Sequence, residues 1–254
     1  MNFSKITKAV PRRTWLGKLI RLPLDVIPTG TVVPILQGRL RGKRWVVGSS
    51  LHTCWLGGYE WETQRVFGQI VKPGDTVFDV GAHVGFYALL ASVLVGPAGR
   101  VFAFEPLPEN IAYLKRHIAL NRLENVAVIE AAVSNHSGAA SFKRGEGGVR
   151  GTGRLSAIDG DIQVNVIRLD DLVASGQASP PGVIKIDVEG AGFGVLDGAR
   201  TLLARARPVI FWETHNPEER QAAWDLLVPL GYELDIIEHD RPAEGVDEVL
   251  ARPR

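Results

Sequence analysis

Charged residues in the segment Ile184–Gly190 are of the types that acid–base chemistry requires. Lys185, Asp187 and Glu189 alternate there with apolar residues, and alternation along an extended chain places their side chains on one side. A charged side chain at the end of a buried strand is costly unless it is paired or ligated. Asp187 is therefore predicted to be a general base or a metal ligand, with Lys185 holding its charge and geometry. Glu189 either binds substrate or lies on the loop.

A second charged segment ends the apolar run Val209–Trp212 and contains Glu213 and His215. Histidine titrates near neutrality, so a small shift would let His215 act as a base, although a hydrogen-bonded loop residue is an equal interpretation. Glu213 either orients His215 or binds a cation. A divalent ion held by Asp187 and Glu213 is compatible with the spacing but is not required by it. The alternative for Asp187 is a self-compensating pair with Lys185 that only shapes the strand end.

The element that must position a ligand against these acids is a glycine turn. Thr76–Val80 is a β-branched and aromatic run of strand length, and Gly81 and Gly85 bracket the reversal that follows it. Glycine lets a ligand approach the main chain closely. Glu105 ends the next apolar run about twenty residues later, the distance at which a nucleotide ribose is usually bound. This arrangement predicts a site for an adenosine-containing cofactor, with a purely structural βαβ unit as the alternative.

The spacing within the turn discriminates between cofactors. Nicotinamide enzymes use G-x-G-x-x-G, whose middle glycine lets the chain approach a pyrophosphate. Here the turn is Gly81-Ala82-His83-Val84-Gly85, with a histidine at that position. A looser turn suits a cofactor without a pyrophosphate, which favours S-adenosylmethionine over NAD. His83 is predicted to line the cofactor pocket rather than to transfer protons.

Composition excludes several classes of protein. The chain has 254 residues, with 29 basic and 28 acidic side chains and a formal net charge of +1. This balance predicts no broad surface for nucleic acid. Cys54 is the one cysteine, so no intrachain disulfide can form. No window approaches the roughly 18 apolar residues of a membrane helix, and the basic N-terminus lacks a signal-peptide core. These features predict a soluble cytoplasmic enzyme without a membrane span.

Alternating strands and helices predict the fold. We expect an α/β, Rossmann-like, doubly wound and mostly parallel seven-stranded sheet with helices on both faces, and a small β-rich N-terminal extension. Residues 1–54 are predicted to be this lead-in and cap, and residues 55–254 the main domain. Short strands are expected at Val32–Leu36, Gly38–Leu40 and Arg44–Val47. A glycine-rich segment around 143–163, between strands that pair as a hairpin, is predicted to be either a flap over the substrate or a surface loop.

Three motifs occur in order: Phe78–Gly85, Phe104–Asn110 and Ile184–Gly190. They resemble the successive signatures of the FkbM-type methyltransferases, over about Trp55 to Glu213. The resemblance implies a class I S-adenosylmethionine fold and methylation of hydroxyl oxygens on sugars or natural products. It also implies a set of cofactor-binding positions: Tyr59, Glu60, Asp79, Gly81, Ala82, His83, Gly85, Glu105, Pro106, Ala132 and Val133. For Glu60 the alternative is a solvated acid on an entry helix.

One position departs from the family pattern. The family usually carries a second glutamate two residues after Gly190, where this chain has Gly192. The leading hypothesis is an S-adenosylmethionine-dependent O-methyltransferase whose partner is a hydroxylated small-molecule acceptor. A non-catalytic cofactor-binding protein, motivated by Gly192, and a nicotinamide oxidoreductase are the alternatives. A homo-oligomer is left open.

Overall fold

The computed structural model describes residue 24 and residues 26–145, 153–155, 160–214, 217–237 and 247–254. The helices of this part are α1 His52–Leu56, α2 Trp61–Ile70, α3 Phe86–Val95, α4 Pro108–Asn121, α5 Leu169–Ala174, α6 Gly192–Asp197, α7 Arg200–Ala206 and α8 Pro217–Leu227. None of them combines the length and the hydrophobicity that a membrane span requires.

The strands form three sheets. Their bounds are β1 Val32–Pro34, β2 Arg44–Val46, β3 Thr76–Val80, β4 Arg100–Phe104, β5 Val126–Ile129, β6 Ala132–Val133, β7 Gly138–Arg144, β8 Gly153–Leu155, β9 Ile162–Ile167, β10 Val183–Ile186, β11 Val209–Thr214, β12 Tyr232–Ile236 and β13 Asp247–Pro253. The main sheet has seven strands in the order β12-β13-β11-β10-β3-β4-β5. The five strands from β11 to β5 are parallel, and β13 runs antiparallel to β11 and to β12.

The main sheet is buried on both faces, and its central strands β3 and β10 are apolar apart from Thr76, Asp79 and Lys185. Val77 and Val101 belong to one hydrophobic core, and their neighbours Phe78 and Phe102 belong to the other. The first core includes residues of α2 and α3, and the second includes residues of α6, α7 and α8. The predicted fold, a doubly wound and mostly parallel seven-stranded sheet with helices on both faces, is confirmed.

The N-terminal strands share a core with this sheet. β1 and β2 pair antiparallel, with Val32 opposite Val46, and Trp45 packs in the same core as α3. Helix α4 holds β2 from the other side, since Asn121 accepts a hydrogen bond from the Arg44 N–H and donates one to the Arg44 carbonyl. Whether residues 1–54 form a cap and 55–254 the main domain stays a prediction.

Residues between β5 and α5 build a separate four-stranded sheet in the order β6-β9-β7-β8. Strands β7 and β9 are antiparallel, with Phe142 opposite Ile162, so the predicted pairing of these strands is confirmed, although β8 lies between them in the chain and pairs with β7 as well. Ala132 and Val133 pair with β9 as strand β6. Within the predicted flap, residues 146–152 and 156–159 lie outside the described part.

One local prediction is wrong. Gly38–Leu40 is not a strand, because Gly38 has φ +81° and the chain turns there, with the Arg41 N–H donating to the Gly38 carbonyl. Asp170 lies inside α5. Its carboxylate accepts hydrogen bonds from the N–H groups of Thr201 and Leu202 at the start of α7, at 3.0 and 2.8 Å. It therefore caps a helix that is distant in sequence.

Candidate active site

The turn after β3 brings three strand ends together. Gly81, His83 and Gly85 all have positive φ, at +83°, +51° and +96°. The N–H groups of Gly81 and Ala82 donate to the Phe104 carbonyl at the end of β4, at 3.1 and 2.9 Å. On the other side, a Cβ atom on Gly81 would overlap the carbonyl group that follows β10. The carboxyl ends of β4, β3 and β10 therefore meet at one crevice, where ligands bind in open α/β sheets.

Glu105 is held at the end of β4 by three hydrogen bonds. Its Oε2 accepts from the His83 N–H at 2.8 Å, and its Oε1 accepts from the Leu107 N–H at 2.9 Å and from Asn110 Nδ2 at 3.1 Å. Burial raises the pKa of Glu105, and the three hydrogen bonds lower it. Because burial is the larger effect, the pKa is raised to about 7. An oxygen accepts two hydrogen bonds, so Oε2 retains one acceptor position for a ligand hydroxyl.

Asp79 is the other acid of the glycine turn, at the end of β3. Its side chain is buried, and its Oδ2 atom has no hydrogen-bond partner among the described residues. Burial raises its pKa to about 7, the Lys185 ammonium lowers it, and Asp187 and Glu105 raise it further. A buried, unpartnered carboxylate oxygen beside a cleft is suited to accept a hydrogen bond from a ligand.

The cleft at these strand ends has a volume of about 240 Å³. Phe142 and Leu155 of the four-stranded sheet form one wall of it, opposite the glycine turn. The predicted site residues that line the cleft are Tyr59, Asp79, Gly81, Ala82, His83, Glu105, Pro106, Ala132, Val133, Lys185, Asp187, Glu189 and Glu213. One cavity therefore brings together both the predicted cofactor residues and the predicted catalytic acids.

Lys185 is fully buried and carries its charge beneath the cleft. Its Nζ lies 3.4 Å from Asp187 Oδ2 and 4.6 Å from the centre of the Tyr87 ring. Burial alone lowers the pKa of Lys185, but the carboxylates of Asp187, Glu248, Glu60 and Glu213 outweigh it and raise that pKa well above its ordinary value. The ammonium is therefore a fixed positive charge next to the half-buried Asp187.

Two acids lie close to Glu213 on the floor of the cleft. Register places Glu213 of β11 directly opposite Glu248 of β13. Glu60 precedes α2 and accepts a hydrogen bond from the Tyr87 hydroxyl at 2.8 Å. Burial, followed by repulsion from Asp187, raises the pKa of Glu213 to about 9, and burial raises the pKa of Glu248 to about 7. The metal prediction named Asp187 with Glu213; the structure groups Glu213 with Glu60 and Glu248.

Two of the predicted residues that the structure describes stand apart from the lining. Gly85 begins α3 behind the turn, with Leu114 filling the space of a Cβ atom. Glu60 lies beneath the cleft, bonded to Tyr87. His215, the alternative base, lies outside the described residues.

Several lining residues were not predicted from the sequence. Cys54 and Leu51 come from the segment around α1, and Phe142 and Leu155 from the four-stranded sheet. The signal that could have identified Phe142 is an aromatic residue beside a glycine-rich segment. Glu248, which lies opposite Glu213, could also have been identified as a candidate, because it is an acid next to the apolar run Val249–Ala251.

The structure explains why position 192 is a glycine. Gly192 is buried, and a Cβ atom there would overlap Nε1 of Trp212 and lie 3.1 Å from Glu219 Oε1. Glu219 also accepts a hydrogen bond from the Phe193 N–H at 3.2 Å. The indole and the Glu219 carboxylate therefore occupy the space that a side chain at 192 would need.

Comparison with known proteins identifies relatives of this chain. The family model described as Methyltransferase FkbM domain matches residues 79–245. Hexuronic acid methyltransferase AglP of Haloferax volcanii is 30% identical over 152 residues, 59% of this chain and 61% of that protein. The 31-O-demethyl-FK506 methyltransferase FkbM of Streptomyces tacrolimicus is 34% identical over 158 residues, 50% of this chain and 60% of that protein. The matches thus span about three fifths of the length of these relatives.

Solved structures support the fold. Methyltransferase FkbM from Methylobacillus flagellatus KT matches with a TM-score of 0.54 and 16% identity, covering 79% of this chain and 52% of that one. An S-adenosylmethionine-dependent O-methyltransferase from Thermotoga maritima matches with a TM-score of 0.52 and 12% identity, covering 92% of this chain and 81% of that one. The fold is therefore that of the class I methyltransferases, and the predicted cofactor, S-adenosylmethionine, agrees with it.

Proposed function

The chain belongs to the FkbM methyltransferase family, and from this premise we propose that it is an S-adenosylmethionine-dependent O-methyltransferase acting on a hydroxyl of a sugar or small natural product. The observation that carries the proposal is the single cleft in which the glycine turn, Glu105 and Asp187 meet. The names of two relatives support an oxygen acceptor, since one is a hexuronic acid methyltransferase and the other a 31-O-demethyl-FK506 methyltransferase.

The residues of the turn fit an adenosyl cofactor. Gly81 lines the cleft, and the remaining acceptor position of Glu105 Oε2 suits a ribose hydroxyl. Ala132 and Val133 offer small side chains for an adenine ring, and Asp79 offers an unpartnered oxygen for a cationic group. His83, Pro106, Tyr59, Glu60 and Gly85 complete the set by shaping or supporting the cleft. S-adenosylmethionine, when bound, supplies a methyl group on a sulfonium.

Asp187 is the proposed general base. Its side chain is 31% exposed at the cleft, whereas its partner Lys185 is 1% exposed. An alcohol is a poor nucleophile until a base takes its proton, and Asp187 is the lining acid that an ammonium holds in place. Lys185 is proposed to position Asp187 rather than to touch the acceptor. Glu189, exposed at the mouth of the same cleft, is proposed to bind the acceptor, and His215 stays the alternative base.

A labelled-methyl assay tests this proposal. Purified protein with S-adenosylmethionine is offered uronic acids, neutral methyl glycosides and hydroxylated macrolides, and the products are resolved by mass spectrometry. Asp187→Asn is expected to lower kcat by about a hundredfold or more while binding of S-adenosylhomocysteine stays within about twofold. The matched control is Asp225→Asn, an exposed acid on α8, which should leave both unchanged. Cofactor binding without methylation of any acceptor would instead favour a non-catalytic protein.

A further inference from the structure

Three glutamates from distant parts of the chain converge under the cleft. Glu60 precedes α2, Glu213 lies in β11, and Glu248 lies in β13. One carboxylate oxygen of each lies within 4.8 Å of those of the other two. We propose that Glu60, Glu213 and Glu248 form a binding site for one hard divalent cation such as Mg²⁺, Mn²⁺ or Ca²⁺.

Glu248 provides an observation that is independent of the clustering. Its side chain is 4% exposed, and its Oε1 atom has no hydrogen-bond partner among the described residues. It also faces Glu213 directly across the antiparallel pair β11–β13. Like charges directly opposite each other destabilise a sheet, and a buried carboxylate without a partner is costly. A cation between these acids would satisfy the unpartnered oxygen and remove the repulsion.

The buried ammonium does not neutralise this group. Among the described acids, Asp187 is the one in ion-pair contact with Lys185, at 3.4 Å. One positive charge therefore serves Asp187 together with Glu60, Glu213 and Glu248, all of which act on it electrostatically. Four carboxylates and one ammonium leave a formal charge of −3, so a divalent cation would reduce it to −1.

The ligand atoms select the class of metal. All three are carboxylate oxygens, which hard cations prefer, whereas zinc sites usually include nitrogen or sulfur. Ca²⁺–oxygen distances of about 2.3 to 2.6 Å put two ligands of one ion at most about 5 Å apart, and the three oxygens, which lie within 4.8 Å of one another, meet that limit. For Mg²⁺, with distances of about 2.1 Å, two ligands on opposite sides of the ion would lie about 4.2 Å apart. Glu213 lines the cleft, so the remaining coordination positions would face it. Water or hydroxyl oxygens of a bound molecule could fill them there.

Titration of the metal-stripped full chain with MnCl₂ tests the site. Binding is monitored by electron paramagnetic resonance, as the loss of the signal of free Mn²⁺. We expect one Mn²⁺ per chain, with competition by Mg²⁺ and Ca²⁺. Glu248→Gln should weaken Mn²⁺ binding by about tenfold or more, because it removes a charged ligand. The matched control is Glu233→Gln, an exposed glutamate on the adjacent strand β12, which should bind as the wild type does.

Thermal unfolding distinguishes a lost ligand from a damaged fold. Without metal, Glu248→Gln should have a Tm equal to or above that of the wild type, because it removes a buried charge. With metal, the increase in Tm seen for the wild type should be absent. If this variant does not fold, Glu213→Gln takes its place.

Two results would overturn the site. One is no Mn²⁺ binding up to about 1 mM, and the other is Mn²⁺ binding that neither Glu248→Gln nor Glu213→Gln weakens. The titration contains neither S-adenosylmethionine nor an acceptor, so its outcome is separate from that of the proposed methylation.

Discussion

The carbonyl oxygen of Asp187 occupies the position that a Cβ atom on Gly81 would take. The two residues follow neighbouring parallel strands, and the Asp187 N–H donates to the Val80 carbonyl at 2.9 Å. The glycine turn and the proposed base are thus in backbone contact. We therefore expect a displacement of the turn to displace Asp187 as well, without an intervening side chain.

Gly81→Ala is expected to destabilise the protein and to abolish cofactor binding. The new methyl group would meet backbone atoms, which cannot rotate away, and φ is +83° at this position. We expect the free energy of unfolding to fall by about 3 kcal/mol or more, measured by urea denaturation.

Gly74→Ala is the control for the Gly81 substitution. Gly74 has a similar φ of +88° with no atom within 4 Å of the added methyl group, so it isolates the backbone strain. This control should lose only about 1 kcal/mol. If the two variants lost the same free energy of unfolding, the contact between the new methyl group and the Asp187 carbonyl would not be the cause of the destabilisation.

Glu105→Gln is expected to weaken S-adenosylhomocysteine binding by about tenfold to a hundredfold, the worth of a hydrogen bond to a charged group. The Glu105 oxygens face three donors, from His83, Leu107 and Asn110. In the glutamine variant, an amide NH₂ group would replace one of these oxygens. This donor would then face another donor and lose the hydrogen bond. Isothermal titration calorimetry measures the affinity.

Glu130→Gln is the control for the Glu105 substitution, because Glu130 is an exposed acid just after β5, the next strand of the sheet. It should bind S-adenosylhomocysteine like the wild type. If Glu105→Gln keeps its affinity but loses stability, the role of Glu105 is to hold the start of α4 rather than a ribose.

Local sequence predicted the centre of the sheet and the turn, for identifiable reasons. The run Thr76–Val80 is buried on both faces and therefore has to be continuously apolar apart from its functional acid, and Gly81 has to be glycine because of the Asp187 carbonyl. The first cause acts within the strand itself, and the second comes from the backbone carbonyl that follows the neighbouring strand β10. A single sequence records such constraints directly as residue type.

Tertiary relationships were the part that the sequence did not reveal. Asp170 lies in α5 but caps α7, and nothing in its own segment of the sequence encodes the distant N–H groups. Glu248 stands 188 positions after Glu60, and only the insertion of β13 beside β11 brings them together. The same holds for Gly192 at the start of α6, because the group that excludes a side chain there is the indole of Trp212 on strand β11.

His117 is expected to make the free energy of unfolding decrease as the pH is lowered. Its ring stacks on Trp45 at 4.0 Å, its Nε2 accepts from the Val46 N–H at 3.0 Å, and its Nδ1 lies 2.8 Å from the Val84 carbonyl oxygen. Burial lowers the pKa of His117 to about 4 from an ordinary value of 6.5. The unfolded chain therefore binds more protons between these values. The stability that neutral His117 contributes is complete above pH 6.5 and is lost as the pH falls toward 4.

The size of this effect can be measured by urea denaturation at two pH values. Linkage gives a loss of about 2 kcal/mol from His117 between pH 7.5 and pH 5. His117→Gln should show a correspondingly smaller difference between the two pH values, whereas the exposed control His136→Gln should keep the wild-type difference. An unchanged pH dependence in His117→Gln would assign the effect to other groups.

Gly192→Ala is expected to cost about 1 to 3 kcal/mol of stability through overpacking. The added methyl group would overlap Nε1 of Trp212, whose side chain is 1% exposed and has no room to withdraw. Gly182→Ala is the control, because its nearest new neighbour is Asp75 at 3.9 Å; that change should be neutral or slightly stabilising. Because the overlap is with the indole, the double variant Gly192→Ala with Trp212→Phe should lose less than the sum of its single changes. Additive losses in a double-mutant cycle by urea denaturation would mean that Trp212 is not what excludes a side chain at 192.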